Sequence, residues 1–548
     1  MEDILSGEMS YKRHDTTSVP VLIVGGGPAG LVTAITLARS GVECLLIERR
    51  EELSDQPRAT AISTRSMELL RSWGLESQVL EGALDVGFLG RYGETLTGPG
   101  SVVPLGLPTP EEAARVSPVA PVCAPQDHLE PVLLRHLESL RPASVRLGAE
   151  LVDLAAGQSG ALARIRDARS GRVETVAARY LVGADGVRSV VREALGVKMD
   201  GPGLVGDGAN VLFRAPLWER IERPHYGLYP ITHPEAEGVF VPAGRGDRWV
   251  YGFQAEPGAL PPGAAEEAAM VARIRTAAGI PELEPRIERT GRFQYVAKLA
   301  DRFRTGSAFL AGDAAHRVTP RGGTGMNTAI RDGHDLGWKL AWVVKGWAGD
   351  GLLDSYEDDR RPVAEHNVRR SSDPNGSRRE VADELQVDLG GRIAHLWLRG
   401  DARDVSTLDL LGSGLTLFTG PRGDAWQTAA ASIAQPVPLA ARALDEFTAR
   451  GLGITGTGAL LVRPDGRPVG LWADEASAAG QLRGAVEAVI ASGPSGHQAL
   501  AKARLVGPAA HPALDERRGR FASAPRSRPC RPRASARRVL TRSRRAAG

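Results

Sequence analysis

The chain reads as an α/β protein of two or three domains, built on a parallel sheet with a mostly antiparallel β insertion. Three observations lead there. VPVLIVGGG is a continuous Val/Leu/Ile run ending in glycines, the pattern of a strand buried on both faces. Residues 29–40 then carry apolar positions at helical spacing and 42–47 form a second apolar strand, completing a βαβ unit. Between about 201 and 296 the pattern changes to alternation, at 238–242 and 248–253, across the turn-like AGRGD. At 548 residues the chain is too long for a single core.

Helical patterning returns at 63–73 and 126–139, and short buried strands stand at 180–183 and 307–311. A long helical stretch rich in Trp and Leu runs from 323 to about 346. A further unit spans about 386–505, with strands at 415–419, 459–463 and 469–472 and a closing helix from 476. Residues 1–18 form a polar leader that lacks the apolar core of a signal peptide. From 506 onward twelve arginines stand against Asp515 and Glu516, a local charge of +10 within a net +3, which leaves −7 on the rest. That basic segment reads as disordered.

The mildly acidic body gives no reason to expect a nucleic-acid partner. No run of about 18 apolar residues occurs, so neither a transmembrane helix nor a membrane partner is expected. Cys44, Cys123 and Cys530 lie far apart without a CxxC, which fits a reducing cytoplasm and excludes a disulfide framework and thiol redox chemistry.

Three segments carry chemistry. In Gly25-Gly26-Gly27-Pro28-Ala29-Gly30 the glycines permit a tight turn, a close backbone approach to a pyrophosphate and close helix–strand packing. The following helix presents free N–H groups and about half a positive charge to that anion. Glu48 ends the next strand 18 residues after Gly30, where a carboxylate binds ribose hydroxyls. This motif alone does not distinguish FAD from NAD. The second segment, Gly183-Ala184-Asp185-Gly186-Val187-Arg188-Ser189, is a strand, an Asp-Gly turn and a helix that Ser189 can cap. The third is Gly312-Asp313-Ala314-Ala315-His316 with Pro320-Arg321-Gly322-Gly323-Thr324-Gly325-Met326-Asn327. It places a carboxylate at a strand end and opens a helix whose N-terminus can face a flavin ring, where reduced flavin concentrates negative charge. His316 is read as a structural histidine beside this loop.

Together these segments resemble the group A flavin-dependent aromatic hydroxylases, which share the para-hydroxybenzoate hydroxylase fold. The match extends through GDAAHRVTPRGGTGMNTAIRDGHDLGWKLA, LLDSYEDDRRPVAEHNV, Pro57-Arg58-Ala59, RSMELLRSWGL and Gln126. STLDLLGSGLTLFTG and LLVRPDGRPVGLW resemble the C-terminal thioredoxin-like domain of the phenol and aromatic polyketide hydroxylase branch. The resemblance implies an FAD-binding Rossmann-like domain of the glutathione-reductase type (19–90, 120–200 and 297–385). It also implies a β-sheet substrate domain (91–119 and 201–296) and a thioredoxin-like domain (386–505), followed by the tail at 506–548.

The resemblance further implies tight, non-covalent FAD held by Gly25, Gly27, Pro28, Ala29, Gly30, Glu48, Arg49, Arg58, Gln126, Asp185, Gly312, Asp313, Pro320, Gly323, Gly325, Met326 and Asn327. NAD(P)H, with NADPH ahead of NADH, docks transiently near Asp185, since no second nucleotide-binding unit occurs. Oxygen then gives a flavin C4a-hydroperoxide that hydroxylates a phenolic ring in a dry site. No metal is needed, and Arg58 and Pro320 are the candidates for a direct part in the chemistry. The substrate wall is expected from Tyr226, Tyr229, Phe240, Trp249, Tyr251 and Phe253, of which Trp249, Tyr251 and Phe253 share one face at period two. The expected substrate is a polycyclic aromatic polyketide of antibiotic biosynthesis, and the expected assembly a monomer or homodimer. The alternatives are a simple-phenol hydroxylase of aromatic catabolism, a related enzyme acting on isoprenoid lipids, and a non-enzymatic dinucleotide-fold binding protein. The last would have eroded the loop glycines Gly312, Gly322, Gly323 and Gly325, all present here.

Overall fold

The computed structural model describes residues 16–254, 264–400, 404–433 and 436–491. Most of the polar leader and the basic segment from 506 lie outside the described residues. The strand Thr16–Val24 is central to a parallel sheet, between Cys44–Glu48 and Val173–Gly183; Ala143–Leu147 and Ala308–Leu310 extend it on either side. This strand begins at Thr16, inside the segment expected as leader, because Thr16 and Thr17 pair with Thr175 and Val176 and β-branched residues suit an extended ladder. Val24 pairs with Gly183, and Gly183 with Leu310. The three chemically suggestive turns therefore leave one sheet side by side, at its carboxyl edge.

Two helices carry the turns into position. Pro28–Arg39 follows the first turn and is buried over nearly its whole length; Gly325–Val344 follows the third. They pack closely because Gly333 and Gly337 have no side chain. A Cβ on Gly333 would stand 2.5 Å from the Ala29 carbonyl oxygen, and one on Gly337 2.6 Å from Thr36 Cβ. This approach sets both helix N-termini beside the same crevice.

A second sheet of eight strands runs in the order His316–Arg317, Arg286–Ala300, Met199–Arg214, Arg248–Gln254, Gly238–Pro242, Tyr226–Ile231, Gly87–Gly93 and Gly100–Pro104. All neighbours are antiparallel except Tyr226–Ile231 and Gly87–Gly93. The domain limits expected at 91, 201 and 297 each fall inside one of these strands, so the sheet reaches a few residues further than the resemblance implied. One face is covered by the helix Ala264–Ala278. Between them Tyr229, Phe240, Trp249 and Tyr251 are fully buried, Phe253 nearly so, and Tyr226 packs against their edge, with Met270 and Ile274 opposite.

The C-terminal unit is a four-stranded sheet ordered Leu439–Ala443, Leu415–Thr419, Ala459–Val462 and Pro468–Trp472. Only the first pair is parallel. The helices Asp424–Ser432 and Ala478–Ile490 pack together, Trp426 and Leu482 are buried in the core, and Trp426 stacks on Trp472 at 4.9 Å. This order of strands and helices is thioredoxin-like.

Candidate active site

A cavity of about 1080 Å³ lies between the carboxyl edge of the parallel sheet and the uncovered face of the second sheet. It brings together every residue expected at the flavin except Gly30 and Asn327, and it includes both Arg58 and Pro320. Gly25 has φ +113°, and a Cβ there would lie 2.2 Å from the Ala184 carbonyl oxygen, so the first turn and the Asp185 turn touch through a glycine. Gly30 faces inward instead: its Cβ would meet the Gly25 carbonyl oxygen at 1.9 Å, and its role is to let helix and turn close. Asn327 stands behind the wall. Its Oδ1 accepts from Ser63 N–H at 2.8 Å and its amide donates to the carbonyls of Ala61 and Gly323.

The polar groups of the cavity are poised toward an anion and a polyol. Neither Pro28–Arg39 nor Gly325–Val344 has a side-chain cap, and both begin at the cavity wall, leaving unpaired N–H groups there. The hydroxyl of Thr324, at the start of the second helix, is buried without a partner. Glu48 accepts Gly26 N–H at 2.8 Å and Arg50 N–H at 3.0 Å, holding the glycine turn against the second strand. The Gln126 amide donates to Glu130 at 2.6 Å, and Gln126 N–H to the Ala59 carbonyl at 2.8 Å, which fastens the Arg58 loop. Burial raises the Glu130 carboxyl above its ordinary range. Burial likewise raises Asp185, whose Oδ2 accepts Val191 N–H at 3.0 Å and whose Oδ1 is left without a partner.

Asp313 is surrounded by protein but opens into the cavity, and its carboxylate accepts no hydrogen bond among the described residues. Burial raises its pKa, and His316, Arg58 and Arg317 pull it back only partly. Behind it, fully buried Asp332 accepts from Gly312 N–H at 3.1 Å and from Arg360 Nε at 2.8 Å, and meets His316 Nε2 at 2.5 Å. His316 does not line the cavity. Cys123 does, but burial pushes its thiol up to about 12, which keeps it protonated and unreactive.

The residue set fits FAD. Two uncapped helix N-termini, a carboxylate with no protein partner and a turn that excludes a Cβ meet in one cavity with room for a dinucleotide.

The substrate side corrects the sequence reading. None of Tyr226, Tyr229, Phe240, Trp249, Tyr251 or Phe253 lines the cavity. Successive residues of a strand point to opposite faces, and the large aromatics took the face under Ala264–Ala278. The cavity face carries their neighbours Leu228, Pro230, Val239 and Val241, with Phe88, Phe293 and Tyr295. Burial raises the Tyr295 phenol, opposed by Arg321, whose guanidinium lies 5.8 Å from the ring centre and whose Nη1 is buried without a partner. Val239 and Val241 were legible as the other half of the period-two pattern around Phe240. A pair of variants separates the faces. Val241→Trp is expected to raise the substrate KM at least about tenfold with FAD retained, by filling the slot. Phe240→Leu is expected to lower stability by about 1–2 kcal/mol with KM unchanged. A KM that moves with Phe240 and not with Val241, in steady-state assays, would refute this placement.

An FAD-binding-domain family matches residues 18–371, and the aromatic-ring hydroxylase C-terminal family matches 387–492. The chain belongs to the group A flavin-dependent aromatic hydroxylases. Among its relatives, tetracenomycin A2 monooxygenase-dioxygenase of Streptomyces glaucescens is 36% identical, over 88% of this chain and 99% of its own length. Aklavinone 12-hydroxylase RdmE of Streptomyces purpurascens is 34% identical, over 86% of this chain and 99% of its own. The crystal structure of aklavinone-11 hydroxylase with FAD and aklavinone superimposes with a TM-score of 0.79 at 31% identity, covering 88% of this chain and all of the other. The flavin-dependent monooxygenase PieE, with FAD and substrate, gives a TM-score of 0.78 at 27% identity, over 86% and 99%. Among the described residues no helix is long and apolar enough to cross a membrane.

Proposed function

We propose that this chain is an FAD monooxygenase that uses NAD(P)H and O2 to hydroxylate a polycyclic phenolic polyketide in antibiotic biosynthesis. The observation that carries this reading is one cavity with two chemistries: anion-binding helix ends and Asp313 on one wall, an apolar slot on the other. In such an enzyme bound FAD supplies the hydride acceptance and oxygen activation. The rest falls to the protein. The N-terminus of Pro28–Arg39, with Gly25 and Gly27, would hold the pyrophosphate, and Glu48 and Asp313 would accept from sugar and ribityl hydroxyls. The N-terminus of Gly325–Val344, with Gly323 and Met326, would offer its N–H groups to the flavin ring and favour negative charge there. Arg58 and Arg49 add positive charge at the mouth.

Val239, Val241, Leu228 and Phe293 keep water away from the reacting faces, and Arg321 beside Tyr295 offers a cation to an ionised phenol. The apolar lining of Leu228, Pro230, Val239, Val241, Phe88 and Phe293 suits a flat aromatic substrate. The tetracenomycin and aklavinone enzymes among the relatives support the same class. The test is direct: purified protein should carry a flavin visible spectrum, and NADPH oxidation should rise at least about tenfold with one polycyclic phenol whose product gains oxygen. A colourless protein that takes up no added FAD would end this reading.

A further inference from the structure

We infer that the 463–467 turn of the C-terminal unit, Arg463-Pro464-Asp465-Gly466-Arg467, is a positioning brace that holds two segments of the flavin cavity's lining, the Gly312–Gly323 loop and Ala61, at their working separation. The inference rests on the FAD reading above. Among the described residues the turn makes no hydrogen bond or ion pair to a cavity residue, yet bonds leave it in two directions and each path ends at the cavity.

One path runs through Asp359. Arg463 Nη2 donates to its Oδ2 at 2.9 Å and Arg467 Nη1 to its Oδ1 at 2.5 Å. Lys339 Nζ donates to the same Asp359 and to Asp335, both at 2.7 Å. Lys339 and Asp335 lie on Gly325–Val344, the helix that starts at the cavity. The neighbouring Arg360 continues to Asp332, which holds the Gly312 N–H. The other path runs through Arg65, whose Nη2 donates to the Asp465 carbonyl at 2.6 Å. Arg65 stands in the first turn of Thr64–Ser72, directly after Ser63, whose N–H is held by Asn327. Asn327 also binds the carbonyls of Ala61 and Gly323, both residues of the cavity wall.

The chemistry of these contacts favours geometry over adhesion. Asp335, Asp359 and Asp465 balance Lys339, Arg463 and Arg467, and Lys339 is fully buried. The cations occupy the three carboxylates, which leaves this acidic cluster no role as a metal site. Buried ion pairs add little net stability over apolar packing of the same volume, and their best-attested use is to fix a register. Domains needing only to adhere would be served by apolar contact. Here fixed pairs are spent on the two elements whose ends form the cavity.

The test uses the full chain. Apoprotein is titrated with FAD, and binding is read by flavin fluorescence for wild type, Arg467→Met, Arg467→Lys, Asn327→Ala and the Arg467→Met/Asn327→Ala double variant. Trp426→Phe, in the core of the C-terminal unit and away from the turn, controls for lost stability. Arg467→Met is expected to raise the FAD Kd about fivefold, Arg467→Lys to restore part of it, and the double variant to fall short of the product of the single effects. Trp426→Phe is expected to lower the thermal midpoint with the Kd unchanged. An Arg467→Met Kd within about twofold of wild type overturns the brace, as does an equal loss of affinity in Trp426→Phe. If Arg467→Met does not fold, Arg467→Gln, which also removes the cation, decides by the same criteria. Wild type that binds no FAD would defeat the flavin reading itself, a separate result.

Discussion

Replacing Asp313 with alanine is expected to give a chain that folds normally and has lost most of its FAD. The two halves of that expectation have different causes. Within the protein the Asp313 carboxylate accepts no hydrogen bond among the described residues, so its removal breaks nothing. Burial instead raises its pKa. A carboxyl whose folded pKa lies above its unfolded value, near 3.9, favours folding most below that value. Its contribution declines as pH rises through the folded pKa, because the folded state must then carry a charge it disfavours. Water in the open cavity screens that charge, so at pH 7 the ionised group costs the apoprotein only a little stability. The thermal midpoint of apo Asp313→Ala should equal or exceed that of wild type at pH 7, with the difference narrowing toward pH 4. Binding moves the other way. Hydrogen bonds from hydroxyls to a charged acceptor contribute about 1.5–3 kcal/mol, so FAD affinity should fall roughly ten- to a hundredfold. Asp313→Asn, which keeps an acceptor without the charge, should lie between. Full flavin absorbance in purified Asp313→Ala would show that the carboxylate does not hold the cofactor.

Much of the site was legible because parallel strands announce themselves. An apolar run ending in Gly-Gly-Gly, Gly-Ala-Asp-Gly or Gly-Asp marks a carboxyl end, and three such ends in one sheet must share an edge. Gly30 and Asn327 were visible as members of their motifs, but not what they do: one permits close packing and the other latches two segments 264 residues apart. The substrate wall was misread for a definite reason. Period two states which residues share a face and leaves open which face looks inward, and here both faces are apolar. Large aromatics fill a core well, so Phe240 and Trp249 turned toward Ala264–Ala278 while the smaller Val239 and Val241 were left to line the slot. A helical pattern at 264–278 with Met270 and Ile274 was the available signal that one face already had a partner. The C-terminal brace left no local trace. Lys339 and Asp359 look like solvated helix charges until Arg463 and Arg467 arrive from more than a hundred residues away.

Asp332→Asn is expected to be among the most damaging single substitutions, and to damage stability and binding together. Asp332 is fully buried on Gly325–Val344 and joins His316, Arg360 and the Gly312 N–H. Burial alone would raise its pKa, but the His316 ring and the Arg360 guanidinium outweigh burial and hold it below the ordinary carboxylate range. Asparagine removes the ion-pair partner of buried Arg360 and leaves it only the field of Asp335, a loss of about 3 kcal/mol. The pH dependence has the opposite sign to that of Asp313. A depressed carboxyl pKa contributes stability that is present above the unfolded value and lost as pH falls through the folded one. The gap between wild type and Asp332→Asn should thus be full at pH 7 and close only as solutions are taken well below pH 4. The same change frees the Gly312 turn that aims Asp313, so FAD affinity should fall as well, unlike stability in Asp313→Ala. Thermal unfolding of both apoproteins from pH 7 down to pH 3, alongside FAD titration, distinguishes the two carboxylates. If Asp332→Asn unfolded with wild type at pH 7, or bound FAD unchanged despite a large stability loss, the buried ion set would not be what holds the third turn at the cavity.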